Sequence, residues 1–322
     1  MTCIVSYNIL AGGYNPRTKG TRRTQQLIKI ISSVQPDIVG LVEALNPQMT
    51  EKPTVVDEIA ETLGMQCITC GQPTRSQGYT VALLTHLPIV YTKVHFPPNF
   101  RARPLLEVCV EEADGQHLTV FLVHLSAAFN RGWAGNHLRQ REVEDILHVT
   151  APLRVENRPH ILMGDFNTLS PGDAFKANLL LRYVLELDAK YSAGQLVAGL
   201  PHLDGIIPPR LRFLRPVLQA VAKSTMLSSL FDLAAYFYAP RSAICPLHKL
   251  YVDCFRYLHP HKSGFTCPAA APAGRIDYIF ASTMLVDRLM SCSVITEGEG
   301  MPADHASDHL PVVADLAFRQ PG

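Results

Sequence analysis

Apolar residues run along this chain in short blocks that switch between two periods. Cys3 to Leu10 reads as a buried strand, Gly12-Gly13 turns the chain, and Arg22 to Val34 reads as a helix with Leu27, Ile31 and Val34 on one face. Pro36-Asp37 closes that helix, and Ile38 to Val42 is the next strand. Thr54-Val55-Val56-Asp57 has the form of a helix start, with Gly64 as its stop. Tyr79 to Leu84, Leu105 to Val110 and Leu118 to Val123 read as strands, with Asp114-Gly115 as a hairpin turn. His137 to Val149 reads as a helix and His160 to Met163 as a short buried strand. Arg275 to Ala281, Cys292 to Thr296 and Pro311 to Phe318 complete the set. Hairpins mixed with crossover helices predict an α/β (α+β) fold of mixed sheets covered by helices, not an all-parallel sheet.

From about 189 to 272 this patterning lapses. The stretch is rich in Pro, Leu and Arg. Leu211, Leu214, Leu218 and Val221 keep helical spacing, with Arg210, Arg212, Arg215 and Lys223 nearby. A basic amphipathic helix of this kind suits a membrane surface, or more commonly packing on its own domain. Pro216 is expected to interrupt any continuous helix. Strands resume afterwards, so residues 1–322 read as a single domain with an embedded helical or irregular cap.

Composition narrows the classes. An apolar fraction of 47% over 322 residues allows a sizeable core. A formal net charge of +1 argues against a protein held to nucleic acid by bulk charge, although local basic clusters remain. The 8 cysteines are scattered, mostly in apolar strings such as Glu107-Val108-Cys109-Val110, as in reduced cytosolic proteins. Met1-Thr2-Cys3-Ile4-Val5-Ser6 lacks the basic start of a signal peptide. No apolar run reaches the ~18 residues of a membrane span. A cytoplasmic monomer is the expectation.

The candidate chemistry lies at the ends of the strands. Ser6-Tyr7-Asn8, Leu41-Val42-Glu43, Val123-His124-Leu125, Gly164-Asp165-Phe166-Asn167 and Ser307-Asp308-His309 each close an apolar run with a polar group, and Arg275-Ile276-Asp277 sets a carboxylate inside one. Asn8, Glu43, Asp165, Asn167 and Asp308 are oxygen donors, which suit Mg²⁺, Mn²⁺ or Ca²⁺. His124 and His309 can donate N–H bonds to a phosphate, and Asp277 can orient a histidine. Each residue alone has an ordinary reading. Asn8 can bond a turn after its strand, Asp165-Phe166-Asn167 can be an Asx turn, Glu43 can be a rim charge, and His124 can be a satisfied core histidine. Six such coincidences in one order point instead to a site assembled from distant strands.

This set resembles the endonuclease/exonuclease/phosphatase superfamily, with a deoxyribonuclease-I-like fold. The resemblance runs from Ser6 to Leu316, with Gly164-Asp165-Phe166-Asn167 and Ser307-Asp308-His309 as its most specific motifs. In Pro36-Asp37-Ile38-Val39-Gly40-Leu41-Val42-Glu43, Val42 stands where Gln is commoner. The resemblance implies a four-layered sandwich of two packed sheets with helices outside, and Mg²⁺-dependent cleavage of a P–O bond by activated water. It implies Glu43 as principal metal ligand, with Asn8 and Asp308 as secondary ligands. Asp165 would act on the attacking water with Asn167 beside it, His309 would contact the phosphate with Asp277 orienting it, and His124 would be the second phosphate-facing histidine. Thr85-His86-Leu87-Pro88-Ile89 departs from the Ser-Arg or Ser-Lys that many members carry before the Pro-Ile, which bears on the charge at one rim of the site.

Other clusters are less specific. Cys245, His248, Cys254, His259, His261 and Cys267 have no common zinc-finger spacing. Arg17, Lys19, Arg22 and Arg23 follow Asn8 and read either as a solvated helix start or as contacts to a substrate phosphate. Arg17, Arg22 and Arg256 are the candidate substrate contacts. The expected partner is a phosphate ester: nucleic acid, nucleotide or phospholipid head group. A catalytically silent scaffold, a lipid or inositol-phosphate phosphatase and a sphingomyelinase-like enzyme are the alternatives.

Overall fold

The computed structural model describes residues 1–16, 18, 20–49, 51–71, 78–100, 103–128, 131–194 and 213–318. The strands are β1 (Thr2–Asn8), β2 (Ile38–Leu45), β3 (Gln66–Thr69), β4 (Thr80–Thr85), β5 (Ile89–His95), β6 (Leu105–Glu111), β7 (His117–His124), β8 (His160–Asp165), β9 (Tyr251–Asp253), β10 (Asp277–Ser282), β11 (Leu289–Val294), β12 (Glu297–Gly298), β13 (Met301–Pro302) and β14 (Val312–Leu316). The helices are α1 (Thr24–Ser32), α2 (Val55–Leu63), α3 (Trp133–Val155), α4 (Ala177–Ser192), α5 (Arg215–Lys223), α6 (Thr225–Tyr238) and α7 (Cys254–Leu258).

Two six-stranded sheets, in the orders β11-β14-β1-β2-β4-β3 and β5-β6-β7-β8-β10-β9, form the frame. Both are mixed: β1 pairs parallel with β2 and antiparallel with β14, and β8 pairs parallel with β7 and antiparallel with β10. Alternation along β1 explains the layering. Ile4 joins Val42, Leu122 and Met163 in the core between the sheets. Val5 and Tyr7 point the other way and pack with Leu27, Ile31 and Ile59 of α1 and α2. On the far side, Phe121, Leu162 and Phe280 pack against Val143 and Ile146 of α3. The four layers are thus helix, sheet, sheet and helix, as the deoxyribonuclease-I-like resemblance implies.

Two glycines set the spacing of this frame. A Cβ on Gly40 would lie 2.3 Å from Leu122 Cδ2 and 2.5 Å from Met163 Cε, both on the facing sheet. Gly164 has a φ of 141°, and a Cβ there would sit 1.9 Å from the Val123 carbonyl oxygen. Capping is also written into the chain: Thr54 and Asp57 form a reciprocal capping box on α2, and Gly64 ends it in the left-handed conformation.

The structure gives the cap region definite form in three ways. Pro216 occupies the first turn of α5, where its missing N–H costs nothing, so the helix starts there. Helices α4, α5 and α6 pack on one another through Leu181, Leu185, Leu218 and Phe231. By Tyr251 the chain has rejoined the second sheet as its edge strand β9. Arg210, Leu211 and Arg212 lie outside the described residues. Among the described residues, no helix is long and apolar enough to cross a membrane.

Candidate active site

Strand register brings the second sheet's contribution into one row. His124 is the partner of Asp165 across β7–β8, and Asp277 is its partner across β8–β10. Side chains at paired positions share a face, so the three converge on the same edge of the sheet. Asn8, at the end of β1, meets this row from the first sheet: its Nδ2 donates to Asp165 Oδ2 at 3.0 Å.

Glu43 reaches the site through a distortion. Val42 faces the intersheet core, so strict alternation would turn Glu43 toward the helices. The β2–β4 register slips between Leu41 and Leu45, and Glu43 takes a φ of 52°. A bulge re-aims a side chain in this way, and positive φ at a non-glycine residue is a strained state that the surrounding fold must hold. Glu43 Oε2 accepts the Ala11 N–H at 2.9 Å, and Oε1 lies 4.0 Å from His124 Nε2.

Asp165 is the centre of the network. Its Oδ1 accepts the Asn167 N–H at 2.8 Å, and its Oδ2 accepts Asn167 Nδ2 at 3.1 Å as well as Asn8. The first contact is an Asx turn, as is the bond from the Leu10 N–H to Asn8 Oδ1 at 3.0 Å. The ordinary reading and the functional one therefore hold together: the turns fix the side chains in the site. Asn167 Nδ2 also donates to the Leu125 carbonyl at 3.0 Å. Burial raises the Asp165 carboxyl above its usual range, and the facing Asp277 adds to this.

His309 Nδ1 is bonded to Asp277 Oδ2 at 2.9 Å and to Oδ1 at 3.1 Å, and its Nε2 lies 4.0 Å from Asp165 Oδ2. Burial works against a charged ring, but Asp277 outweighs it, and His309 is held well above the ordinary histidine range. His124 behaves oppositely. Burial, with Arg103 and His309 nearby, pushes it well below that range. It is 3% exposed, its Nε2 is 3.9 Å from Asp165 Oδ2, and its Nδ1 has no hydrogen-bond partner among the described residues. It is not a satisfied core histidine.

The donor set suits a hard divalent cation. Among the described residues, Asp165, Asp277 and His309 bring ligating atoms within 4.8 Å of one another. There, however, His309 Nδ1 is committed to Asp277, and the Asp165 oxygens already accept three N–H bonds. Glu43, Asp308 and Asn8 Oδ1 offer an all-oxygen set, the kind a hard cation prefers. Burial raises the Glu43 carboxyl, partly offset by the Ala11 N–H, and the Asp308 charge raises it further. Buried carboxylates in this relation stay ionised together when a cation lies among them. Ser307 keeps Asp308 in place, its Oγ donating to the Asn8 carbonyl at 2.6 Å.

Three expected positions fall elsewhere. Arg22 pairs with Glu58 and lies over the Tyr14 ring, so its charge is spent within the α1–α2 layer. Arg256 donates to Asp173 at 2.7 Å and to the carbonyls of His259, Pro260 and Lys262, a structural clasp. His86 follows Thr85, the partner of Ile38 at the start of β2, and so lies at the opposite end of that sheet from Glu43. The rim charge does not depend on it. Arg17 lies outside the described residues. The scattered cysteines and histidines do not gather: His248 bonds Ser170 Oγ, and His259 bonds the Cys292 carbonyl.

Two arginines matter more than their sequence context suggested. Arg103 donates to the Leu125 carbonyl at 2.8 Å, the oxygen Asn167 also uses, and its charge acts on both Glu43 and His124. Buried Arg23 donates to the carbonyls of Ile9, Leu10, Tyr14 and Ala306, tying the loop after Asn8 to the loop before Asp308. Its place beside Arg22 marked it only as one of a basic cluster; the bonds made by a buried guanidinium leave no local pattern.

Comparison with known proteins agrees with this layout. Over 76 residues the chain is 38% identical to a DNA-(apurinic or apyrimidinic site) endonuclease of Arabidopsis thaliana, a match to 20% of this chain and 21% of that protein. The chain thus spans about a fifth of the length of that curated relative. An AP endonuclease from Archaeoglobus fulgidus has the same fold, with a TM-score of 0.59 at 15% identity over 99% of this chain and 100% of that one. So does a 3' phosphatase from Neisseria bound to a product DNA hairpin, with a TM-score of 0.56 at 18% identity over 99% and 100%. Residues 5–309 match the Endonuclease/Exonuclease/phosphatase family, and the chain belongs to it.

Proposed function

We propose that this chain is a divalent-metal-dependent phosphoester hydrolase acting on a phosphodiester, with Mg²⁺, or Mn²⁺ in its place, as the ion. The observation that carries this reading is the convergence of His124 Nε2 at 3.9 Å and His309 Nε2 at 4.0 Å on Asp165 Oδ2, at the edge of the sheet interface. A phosphate bound there would meet a charged imidazole and a neutral one. His309, kept protonated by Asp277, donates its Nε2–H to an oxygen whose charge grows in the transition state. Asp165, held in place by Asn8 and Asn167, accepts the proton of the attacking water. Arg103 adds positive charge on the Glu43 side. When bound at Asn8, Glu43 and Asp308, a divalent ion would polarise a phosphoryl oxygen and offset the leaving group's charge.

The test is hydrolysis of a nitrophenyl phosphodiester with Mg²⁺ and with EDTA. Turnover with Mg²⁺ that EDTA abolishes supports the reading, and none with either ion refutes it. Two similar structures are DNA enzymes by name, so duplexes with an abasic site or a 3' phosphate come first in a substrate screen, followed by nucleotides and phospholipid head groups.

A further inference from the structure

Helix α6 carries a seam that its own domain does not use. Met226, Leu230, Leu233 and Phe237 are 69%, 53%, 54% and 75% exposed. They lie opposite Ser228, the one buried residue of the helix. Phe231 turns to that inner side too, where it packs with Leu181 of α4 and with Leu218 and Val221 of α5. Successive seam positions are four, three and four residues apart. That spacing is the repeat of two helices wound against each other, in which each seam residue fills a hole on the facing helix. Single exposed apolar residues need no explanation, but a seam along a whole helix marks an interaction surface.

Charge decides what the facing helix is. Positions flanking such a seam choose the partner through their charges. On α6 they are Leu227, Ser229, Ala234 and Tyr236, none of them charged. The helix has no Lys or Arg. Its single acid, Asp232, accepts the Asn178 backbone N–H at 2.8 Å and also the Asn178 side-chain amide. A helix that lies on a bilayer carries basic residues along its polar face, and α6 has none. A foreign helix selected by charge would find nothing to read. A second α6 meets the first with no like charges opposed, and identical chains close most simply about a two-fold axis. The middle of the seam falls between Leu230 and Leu233. An antiparallel crossing there sets Leu230 against Leu233 of the second copy, and Met226 against Phe237, a thioether on an aromatic ring. The seam with Leu227 and Tyr236 exposes on the order of 600 Å² in each copy, so two copies offer about 1,200 Å², the lower end of stable, specific interfaces.

We propose that the protein is a homodimer, in place of the monomer expected from its sequence, joined by α6 packed antiparallel on α6 of a second copy. The proposal stands apart from the hydrolase reading.

Sedimentation velocity on the intact chain tests it. Wild type should form a species of twice the chain mass, with a dissociation constant at or below about 10 µM. The double variant Leu230→Glu/Leu233→Glu puts charge at the middle of the seam, away from the catalytic groups. It should weaken association at least about tenfold while keeping the circular dichroism spectrum of wild type. The crossing has its own test. Leu230→Glu and Leu233→Lys should each associate weakly alone, and their equimolar mixture should associate at least about tenfold more tightly, because the crossing brings those two positions together. If the double variant does not fold, this mixture decides in its place. Three outcomes would overturn the dimer: a wild type still monomeric at about 100 µM, a folded double variant that associates as wild type does, or a wild type that binds vesicles of phosphatidylcholine with about 30% phosphatidylserine as a monomer. A mixture no tighter than its separate chains would overturn the antiparallel crossing.

Discussion

Asp277 stands directly opposite Asp165 in the antiparallel register of β8 and β10, and of these two carboxylates it is Asp277 that bonds the His309 ring. Two buried carboxylates side by side have divided their tasks. One is neutralised by an imidazolium, and the other is held by neutral amide donors. Asp165 therefore keeps a basic oxygen, and its replacement by Asn should lower kcat by about 10²–10⁴ with little change in KM. Steady-state kinetics on a folded variant checks this; near-normal kcat would remove Asp165 from the proton transfer.

The same pair makes stability pH-dependent. A carboxyl raised by burial and by a neighbouring carboxylate binds its proton more tightly folded than unfolded. Its contribution favours the fold at low pH and is lost as pH rises above the ordinary carboxylate range. In EDTA, the Tm of wild type should fall between about pH 4 and about pH 7, and Asp165→Asn should flatten that slope. Melting curves across pH decide it, and parallel slopes would contradict the argument.

Asp277→Asn removes the group that keeps His309 charged against the cost of burial. The ring then titrates lower, so the loss in kcat, on the order of 10²-fold at neutral pH, should shrink as pH is lowered. A loss independent of pH would mean that Asp277 merely positions the ring.

Glu43→Gln keeps the Ala11 hydrogen bond and the bulge but removes the charge. Mg²⁺ affinity measured by titration calorimetry should fall at least about tenfold, with Tm in EDTA unchanged or raised. Unchanged affinity would move the ion to other ligands.

Arg275 is 1% exposed and bonds Asp253 at 2.8 and 2.7 Å and Asp173 at 2.8 Å. Arg275→Met would leave two buried carboxylates facing a methyl group. Urea unfolding should show a loss of about 3–5 kcal/mol. A loss under about 1 kcal/mol would mean that water replaces the guanidinium.

Much of this was legible in the sequence because each site residue closes an apolar string long enough to declare its strand. Asn8, His124 and Asp165 end β1, β7 and β8, and Asp277 opens β10. Edge strands were less visible. β3 and β5 are mostly half-buried or exposed, and β5 carries Tyr91, Thr92 and Lys93, so the hydrophobic contrast fades. Helix α6 was missed because it is apolar on its solvent face too, which erases the amphipathic period. Arg22 and Arg256 have the composition of phosphate contacts, but Glu58 and Asp173, which claim them, are 36 and 83 residues away in sequence.

Gly40 touches no catalytic group, yet it works as the molecule's thickness gauge. It lies on β2 in register with Ser6, two residues before Asn8, at a point where the opposite sheet leaves no room for a methyl group. Any side chain there would act as a wedge. Prying the sheets apart at that point widens the gap at their shared edge, where one amide, Asn8, spans to Asp165. The tolerance of the chemistry is thus set by the caliper of the core, and the alignment of Asn8 with Asp165 can be spoiled from inside without altering either residue.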